Sequence, residues 1–140
     1  MPVDLKGKTA LVTGGARRVG RAICLRLAAE GVNVVFSYLR RASEAEETRR
    51  EIESKGVGAI SIKADLVDLE ACDTIIKAAA SLSGRVDILV NNASEFPRTA
   101  LSELARDRES FQESFQRLAK IHMRSPLYLG MKLGLEMKKN

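Results

Sequence analysis

Short apolar segments alternate with longer helix-forming segments along the first two thirds of the chain. The apolar segments are rich in β-branched and aliphatic residues, which is typical of strands buried on both faces. Parallel strands need long crossovers, usually helices, so the alternation predicts a parallel sheet with helices on both faces and right-handed connections. The four predicted strands are residues 9–13, 33–38, 59–64 and 86–92.

Helix-boundary signals lie between these strands. Gly31 stands where the C-cap of the first helix belongs, after apolar residues at helical spacing. Ser43 and Glu46 have the spacing of a capping box, which predicts a second helix from there to Lys55. A third helix is expected over about 68–82.

The last third of the chain contains no fifth strand pattern. From residue 102 onward the apolar spacing predicts two helices, the second spanning about 118–139. We expect one domain, 1–140, truncated before a fifth strand, so that the chain is a fragment or one half of a noncovalent assembly. An uncovered fourth strand and exposed apolar residues on the last helix would favour association, and we expect a homo-oligomer.

Composition limits the classes of partner. The hydrophobic fraction of 45% and charged fraction of 29% describe an ordinary globular protein. The net charge of +5 permits a polyanionic partner. However, aromatic residues make up only 4% and the arginines cluster at one predicted pocket, which favours a small phosphorylated ligand over nucleic acid.

The two cysteines, Cys24 and Cys72, have no close-spaced metal pattern and are expected to be buried small side chains. We therefore expect no metal site and a reducing, cytoplasmic location. No apolar run approaches the roughly 20 residues needed to span a bilayer, so no membrane association is expected.

The stretch TGGARRVG follows the first predicted strand and opens the first predicted helix. Gly14 and Gly20 lie where a phosphate-binding turn needs close approach to backbone N–H groups. Arg17 and Arg18 are unfavourable beside the positive end of a helix dipole unless an anion is bound there. A glycine-rich turn without a ligand is the alternative interpretation.

Two further arginines follow the second predicted strand. A dinucleotide site that selects NAD carries a carboxylate near this point, whereas arginine accommodates the 2′-phosphate of NADP. Arg40 and Arg41 occupy the position here. Neighbouring strands should bring them close to Arg17, which favours NADPH as the cofactor, although a solvated basic surface is the simpler alternative.

Polar residues close the third and fourth predicted strands. Asp65 follows the third strand, and the segment NNAS, residues 91–94, follows the fourth. Both lie at the carboxyl edge, where open α/β sheets bind ligands. Either segment alone could serve only to turn the chain.

Together these motifs resemble the N-terminal portion of the short-chain dehydrogenase/reductase family. TGGARRVG is similar to the family's TGxxxGxG, ADL at 64–66 to its adenine-contacting segment, and NNAS to its NNAG, in the same order and spacing. The resemblance implies the first half of a Rossmann-type, doubly wound α/β fold, a small-molecule substrate, and hydride transfer to or from a C=O or C=N bond.

Two departures from the family pattern resemble its pteridine reductase branch: Arg18 replaces a glycine, and NNAS is followed by Glu95 and Phe96. This resemblance implies a pterin-like substrate. It places the 2′-phosphate end of NADPH at Arg17, Tyr38, Arg40 and Arg41, the adenine at Asp65 and Leu66, and the ribose at Asn92 and Ala93. The implied cofactor-binding residues are Gly14, Arg17, Arg18, Val19, Gly20, Tyr38, Arg40, Arg41, Asp65, Leu66, Asn92, Ala93 and Ser94. The implied substrate-binding residues are Arg18, Ser94 and Phe96, with Phe96 stacking on a flat ring.

The family's catalytic tyrosine and lysine lie in a YxxxK motif, and YLGMK, from Tyr128 to Lys132, matches it in form. This copy comes too early after NNAS and lacks the upstream serine, so we expect it not to be catalytic, and the sequence identifies no catalytic residue. His122 stands where the family usually has a structural asparagine. A nucleotide-binding module without catalysis is therefore the alternative function.

Overall fold

The computed structural model describes residues 3–96 and 100–139. Its centre is a four-stranded sheet in the order β3-β2-β1-β4, in which all paired strands are parallel. The strands are β1 Thr9–Val12, β2 Asn33–Tyr38, β3 Ala59–Lys63 and β4 Ile88–Val90. The predicted four-stranded parallel sheet is confirmed, with each strand ending close to its expected boundary.

Helices cover both faces of this sheet, as predicted. They are α1 Arg18–Ala29, α2 Ala42–Glu53, α3 Leu69–Ser83, α4 Leu101–Arg106, α5 Arg108–Ala119 and α6 Ser125–Met137. A π-helical turn, Lys120–Arg124, joins α5 to α6. The architecture is that of a Rossmann-like α/β fold.

The side-chain alternation of the central strands produces two separate cores. Leu11 and Val35 pack on one face with apolar residues of α3 and α6. Val12 and Phe36 pack on the other face with α1 and α2. Because adjacent residues of a strand point to opposite faces, a continuous apolar run such as β1 is the pattern that a sheet covered on both faces requires.

The second helix begins differently from the sequence prediction. It starts at Ala42, its N-cap is Arg41 with a φ of 66°, and no capping side chain contributes a hydrogen bond. The predicted capping box fails because the Glu46 carboxylate accepts hydrogen bonds from Arg49 and Arg50 one turn later. These three charge-assisted hydrogen bonds hold the Glu46 carboxylate away from the backbone N–H of Ser43.

The C-terminal region also differs from the prediction of two helices. A break occurs at Asp107, whose carboxylate caps α5 by accepting the N–H groups of Glu109 and Ser110. No break occurs near residue 118, because the π-helical turn continues α5 directly into α6. Within α6, Leu129 and Leu133 are fully buried, whereas Leu127 is 65% exposed on its outer face.

Both cysteines are free and fully buried, as expected. Burial raises the pKa of the Cys24 thiol to about 12, which keeps it in the unreactive protonated form. In the described part of the chain, the helices all fall short of the length and apolarity that crossing a bilayer demands.

Candidate functional site

The ends of β1 and β4 are joined by the hydroxyl of Thr13. Its Oγ1 accepts the backbone N–H groups of Asn92 and Ala93, both at 3.0 Å. The Asn92 side chain returns the contact, because its Nδ2 donates to the carbonyl oxygens of Thr13 at 3.0 Å and Gly14 at 3.1 Å. These bonds fix the loop after β4 against the loop after β1.

The close contact between the loops after β1 and β4 explains why Gly14 and Gly20 carry no side chain. Gly14 has a φ of 70°, and a Cβ there would lie 3.0 Å from the Cα of Ala93. A Cβ on Gly20 would lie 2.0 Å from the Gly14 carbonyl oxygen and 2.6 Å from Asn92 Nδ2. The first turn of α1 therefore sits directly on the β1 loop, with no room for a side chain between them.

The end of β2 is tied to the same loop through Ser37. Gly14 N donates to Ser37 Oγ at 3.2 Å, and Gly15 N donates to the Ser37 carbonyl oxygen at 3.0 Å. Three strand ends thus meet at one carboxyl edge. This is the place where parallel α/β sheets bind ligands.

A cleft of about 270 Å³ opens beside this edge, between the start of α1 and α2. It is lined by Ala16, Arg17, Arg18, Arg21, Glu44 and Glu47. The helix end that faces it has no capping side chain and no acidic residue in its first turn. The uncapped α1 N-terminus, its helix dipole and the guanidinium groups of Arg17 and Arg18 favour a phosphate here, whereas Arg21 is already paired with Glu51.

Arg18, the first residue of α1, has a φ of 50°. A left-handed backbone is uncommon for a side chain other than glycine, asparagine or aspartate. Arg17 and Arg18 line the cleft and are exposed, and the Val19 side chain that follows them is 67% exposed. The side chains are therefore available to a ligand rather than part of the core.

Three of the four predicted 2′-phosphate residues lie at the end of β2 or just beyond it. Tyr38, the last residue of β2, is half-buried, and Arg40 and Arg41 are exposed. Arg41 Nη1 lies 3.7 Å from Oε1 of Glu44, a residue that also lines the cleft. Arg41 thus pairs with a side chain that lines the cleft, without lining it itself.

Asp65 and Leu66, at the end of β3, have different environments. Leu66 is only 7% exposed and packs in the α3 core, so its side chain contributes to stability. Asp65 Oδ2 lies 3.6 Å from Nη1 of Arg117, whose Nε donates to both Glu95 oxygens at 2.8 and 2.9 Å. Arg117 on α5 therefore links the loops that follow β3 and β4.

His122 lies within the π-helical turn, and its Nε2 accepts the backbone N–H of Glu95 at 3.2 Å. Single-turn π segments inside helices are frequent at functional sites. Here the turn directs an imidazole to the loop after β4. The histidine therefore positions that loop.

The predicted substrate-facing residues Ser94 and Phe96 are exposed, with Phe96 at 89%. Because the Phe96 ring is almost fully exposed, a ligand can pack against it. Of the predicted residues, the structure brings together Gly14, Gly20, Asn92 and Ala93 by direct contact. The adenine and stacking assignments stay predictions.

The YxxxK motif is engaged elsewhere. Tyr128 Oη donates to Asp73 Oδ1 at 2.8 Å, and Lys132 Nζ lies 3.8 Å from the same oxygen. A hydrogen bond with Tyr128 raises the pKa of Lys132 above its usual value. The pair therefore joins α6 to α3, which supports the expectation that it is not catalytic.

Replacing Tyr128 with phenylalanine should lower the free energy of unfolding by about 1 kcal/mol, the usual net value of one hydrogen bond. Binding of NADPH, the cofactor expected from the sequence, should be unchanged within about twofold, since the hydroxyl bonds to α3. Urea unfolding and NADPH fluorescence titration check these outcomes. A loss of binding without a loss of stability would contradict the assignment.

Sequence reasoning missed three contributors to this region. Thr13 and Ser37 each act through contacts with residues far along the chain, and no local pattern marks them. Arg117 lies in a helix whose pattern resembles that of an ordinary exposed amphipathic helix. Only the geometry of the strand ends reveals their roles.

The family model described as short chain dehydrogenase matches residues 8–139. General stress protein 39 of Bacillus subtilis (strain 168) is 34% identical over 129 residues, which are 91% of this chain and 43% of that protein. The chain thus spans less than half the length of this curated relative.

Solved structures give the same result. A blue fluorescent protein from a metagenomic library, in complex with NADPH, is 34% identical with a TM-score of 0.85, and the match covers 96% of this chain and 53% of that one. A short chain dehydrogenase from Burkholderia cenocepacia J2315, in complex with NADP, is 34% identical with a TM-score of 0.84, covering 94% and 51%. With its motifs, its fold and these similarities in agreement, the chain belongs to the short-chain dehydrogenase/reductase family.

Proposed function

We propose that this chain binds NADPH and belongs to an oxidoreductase that transfers a hydride to a C=O or C=N bond. The observation that carries the proposal is the cleft at the carboxyl edge, where arginines surround an uncapped helix N-terminus. The NADPH and NADP complexes of the two similar structures add support.

The residues present fit this cofactor. The α1 N-terminus and Arg18 would meet the pyrophosphate, and Arg17, Arg40 and Arg41 the 2′-phosphate. Asn92 and Ala93 would border the ribose. When bound, NADPH supplies the hydride, and this chain's own residues bind and orient it.

Replacing both Arg40 and Arg41 with alanine should weaken NADPH binding by at least about tenfold to a hundredfold, because a single charge-assisted hydrogen bond already contributes about 1.5–3 kcal/mol. NADH binding should change by less than about threefold, since NADH has no 2′-phosphate. Calorimetric titration of both cofactors measures the two affinities.

A double variant of Arg26 and Arg50 to alanine is the matched control. Both side chains are about three-quarters exposed and lie on the later turns of α1 and α2. This variant also loses two positive charges, but away from the cleft. We expect it to keep its preference for NADPH. Equal affinity of the unmodified protein for NADPH and NADH would refute the 2′-phosphate assignment.

We also propose a flat, pterin-like ring as the substrate, with Arg18, Ser94 and Phe96 beside it. The support is the NNAS segment followed by an exposed Phe96 and the arginine in place of a glycine. Oxidation of NADPH with a panel of pterins and simple ketones tests the substrate class. Turnover of ketones alone would contradict the pterin assignment.

A binding module without catalysis is the second candidate, favoured by the engagement of Tyr128 and Lys132 with Asp73. NADPH binding without turnover of any substrate would support it. We further propose that the chain self-associates, which the exposed apolar residues of α5 and α6 support. We also propose a cytoplasmic location, which the two free cysteines support.

A further inference from the structure

The cleft beside α1 contains acidic side chains as well as arginines. Glu44 and Glu47, from the early part of α2, line it opposite the guanidinium groups. A carboxylate lowers the positive potential that attracts an anion. The two glutamates therefore oppose the binding for which the rest of the cleft is suited.

Glu44 differs from Glu47 in its position. It lines the cleft with Arg17 and also pairs with Arg41, at 3.7 Å between Oε1 and Nη1. Its side chain is 39% exposed and that of Arg41 62% exposed. Glu44 thus places one negative charge between the two arginine segments assigned to the 2′-phosphate.

We propose that Glu44 is a specificity-determining residue whose carboxylate competes with the 2′-phosphate of NADPH for Arg41 and the cleft arginines. This inference rests on the proposed function. The phosphate carries close to two negative charges and the carboxylate one, so the phosphate displaces it. Phosphate binding breaks the ion pair between Arg41 and Glu44, and the Glu44 carboxylate repels the bound phosphate. Both effects make the affinity lower than the arginines alone would give.

The competition limits the preference for 2′-phosphorylated ligands without abolishing it. Glu44 also lies in the first turn of α2, where a negative charge stabilises the helix. A purely structural glutamate would affect the thermal stability of the protein but would not distinguish between ligands. A comparison of a ligand that carries a 2′-phosphate with one that lacks it therefore separates the two roles.

The test is calorimetric binding of 2′,5′-ADP and of 5′-AMP to the unmodified protein and to Glu44→Gln. We expect the variant to bind 2′,5′-ADP about threefold to tenfold more tightly, in line with one partly exposed charge pair, and 5′-AMP within about twofold. Glu53→Gln is the matched control, because it removes the same charge from the last turn of the same helix. It should bind both nucleotides like the unmodified protein.

Unchanged or weaker binding of 2′,5′-ADP by Glu44→Gln would overturn the competition. An equal gain in Glu53→Gln would also overturn it, because net charge alone would then explain the effect. If the unmodified protein binds 2′,5′-ADP no more tightly than 5′-AMP, the proposed 2′-phosphate site fails and this inference fails with it. Thermal unfolding of each variant confirms that the ligand comparison is made on folded protein.

Discussion

Replacing Gly20 with alanine should lower the free energy of unfolding by about 3 kcal/mol, at the upper end of the cost of overpacking, and abolish measurable NADPH binding. The added methyl group would lie 2.0 Å from the Gly14 carbonyl oxygen and 2.6 Å from Asn92 Nδ2. The Gly14 carbonyl and the Asn92 side chain are hydrogen-bonded to each other, so neither can move away from the methyl group without disturbing the Asn92 contacts to the β1 loop. Urea unfolding and fluorescence titration with NADPH measure the two effects.

Gly130→Ala provides the control, since a Cβ at Gly130 of α6 meets nothing within 4 Å. Alanine is the better helix former, so this variant should be more stable by about 0.5–1 kcal/mol, with unchanged binding. If Gly20→Ala behaved like the control, the close packing of α1 on the β1 loop would be wrong.

Replacing Thr13 with valine should cost about 1–3 kcal/mol of stability, because the Ala93 N–H loses its acceptor and the Asn92 N–H keeps only the Val90 carbonyl oxygen, at 3.1 Å. The side chain is buried, at 2% exposure, and valine keeps its shape. The hydrogen bonds from Asn92 and Ala93 are lost, so the loop after β4 should loosen and NADPH binding should weaken. Amide hydrogen exchange at Asn92 and Ala93 reports the loosening directly.

Two further variants separate the hydroxyl from the rest of the side chain. Thr13→Ser keeps the acceptor and should retain slow exchange at both amides. Thr74→Val removes an exposed hydroxyl that bonds within α3, and should change stability by less than about 0.5 kcal/mol. Fast exchange at Asn92 in the serine variant would show that the hydroxyl is not what fixes the loop.

The sheet could be predicted because its signals are local. A run such as that of β1 is buried on both faces, and the run itself carries that information. The boundary of α3 was equally readable, since Asp68 caps its start and Gly84, with a φ of 77°, ends it. The rules for parallel crossovers then place the helices on the two faces, and the order β3-β2-β1-β4 is that of the first half of the Rossmann-type fold.

The failed predictions have physical reasons. The capping box at Ser43 was overridden by the ion pairs of Glu46 with two arginines. The cap at Asp107 was present in the sequence but lay inside a stretch whose apolar spacing indicated one helix. Within the site, the contacts between Thr13 and Asn92 join residues 79 positions apart, and a single sequence gives no measure of such pairing.

The central claim is that the arginines of this edge hold the 2′-phosphate of NADPH, and ³¹P NMR of NADP⁺ bound to the protein tests it most directly. We expect the 2′-phosphate resonance to shift on binding and the phosphate to stay doubly charged to lower pH than in free NADP⁺, because nearby guanidinium groups favour the dianion. A pyrophosphate resonance that shifts while the 2′-phosphate resonance and its titration remain those of free NADP⁺ would contradict the account.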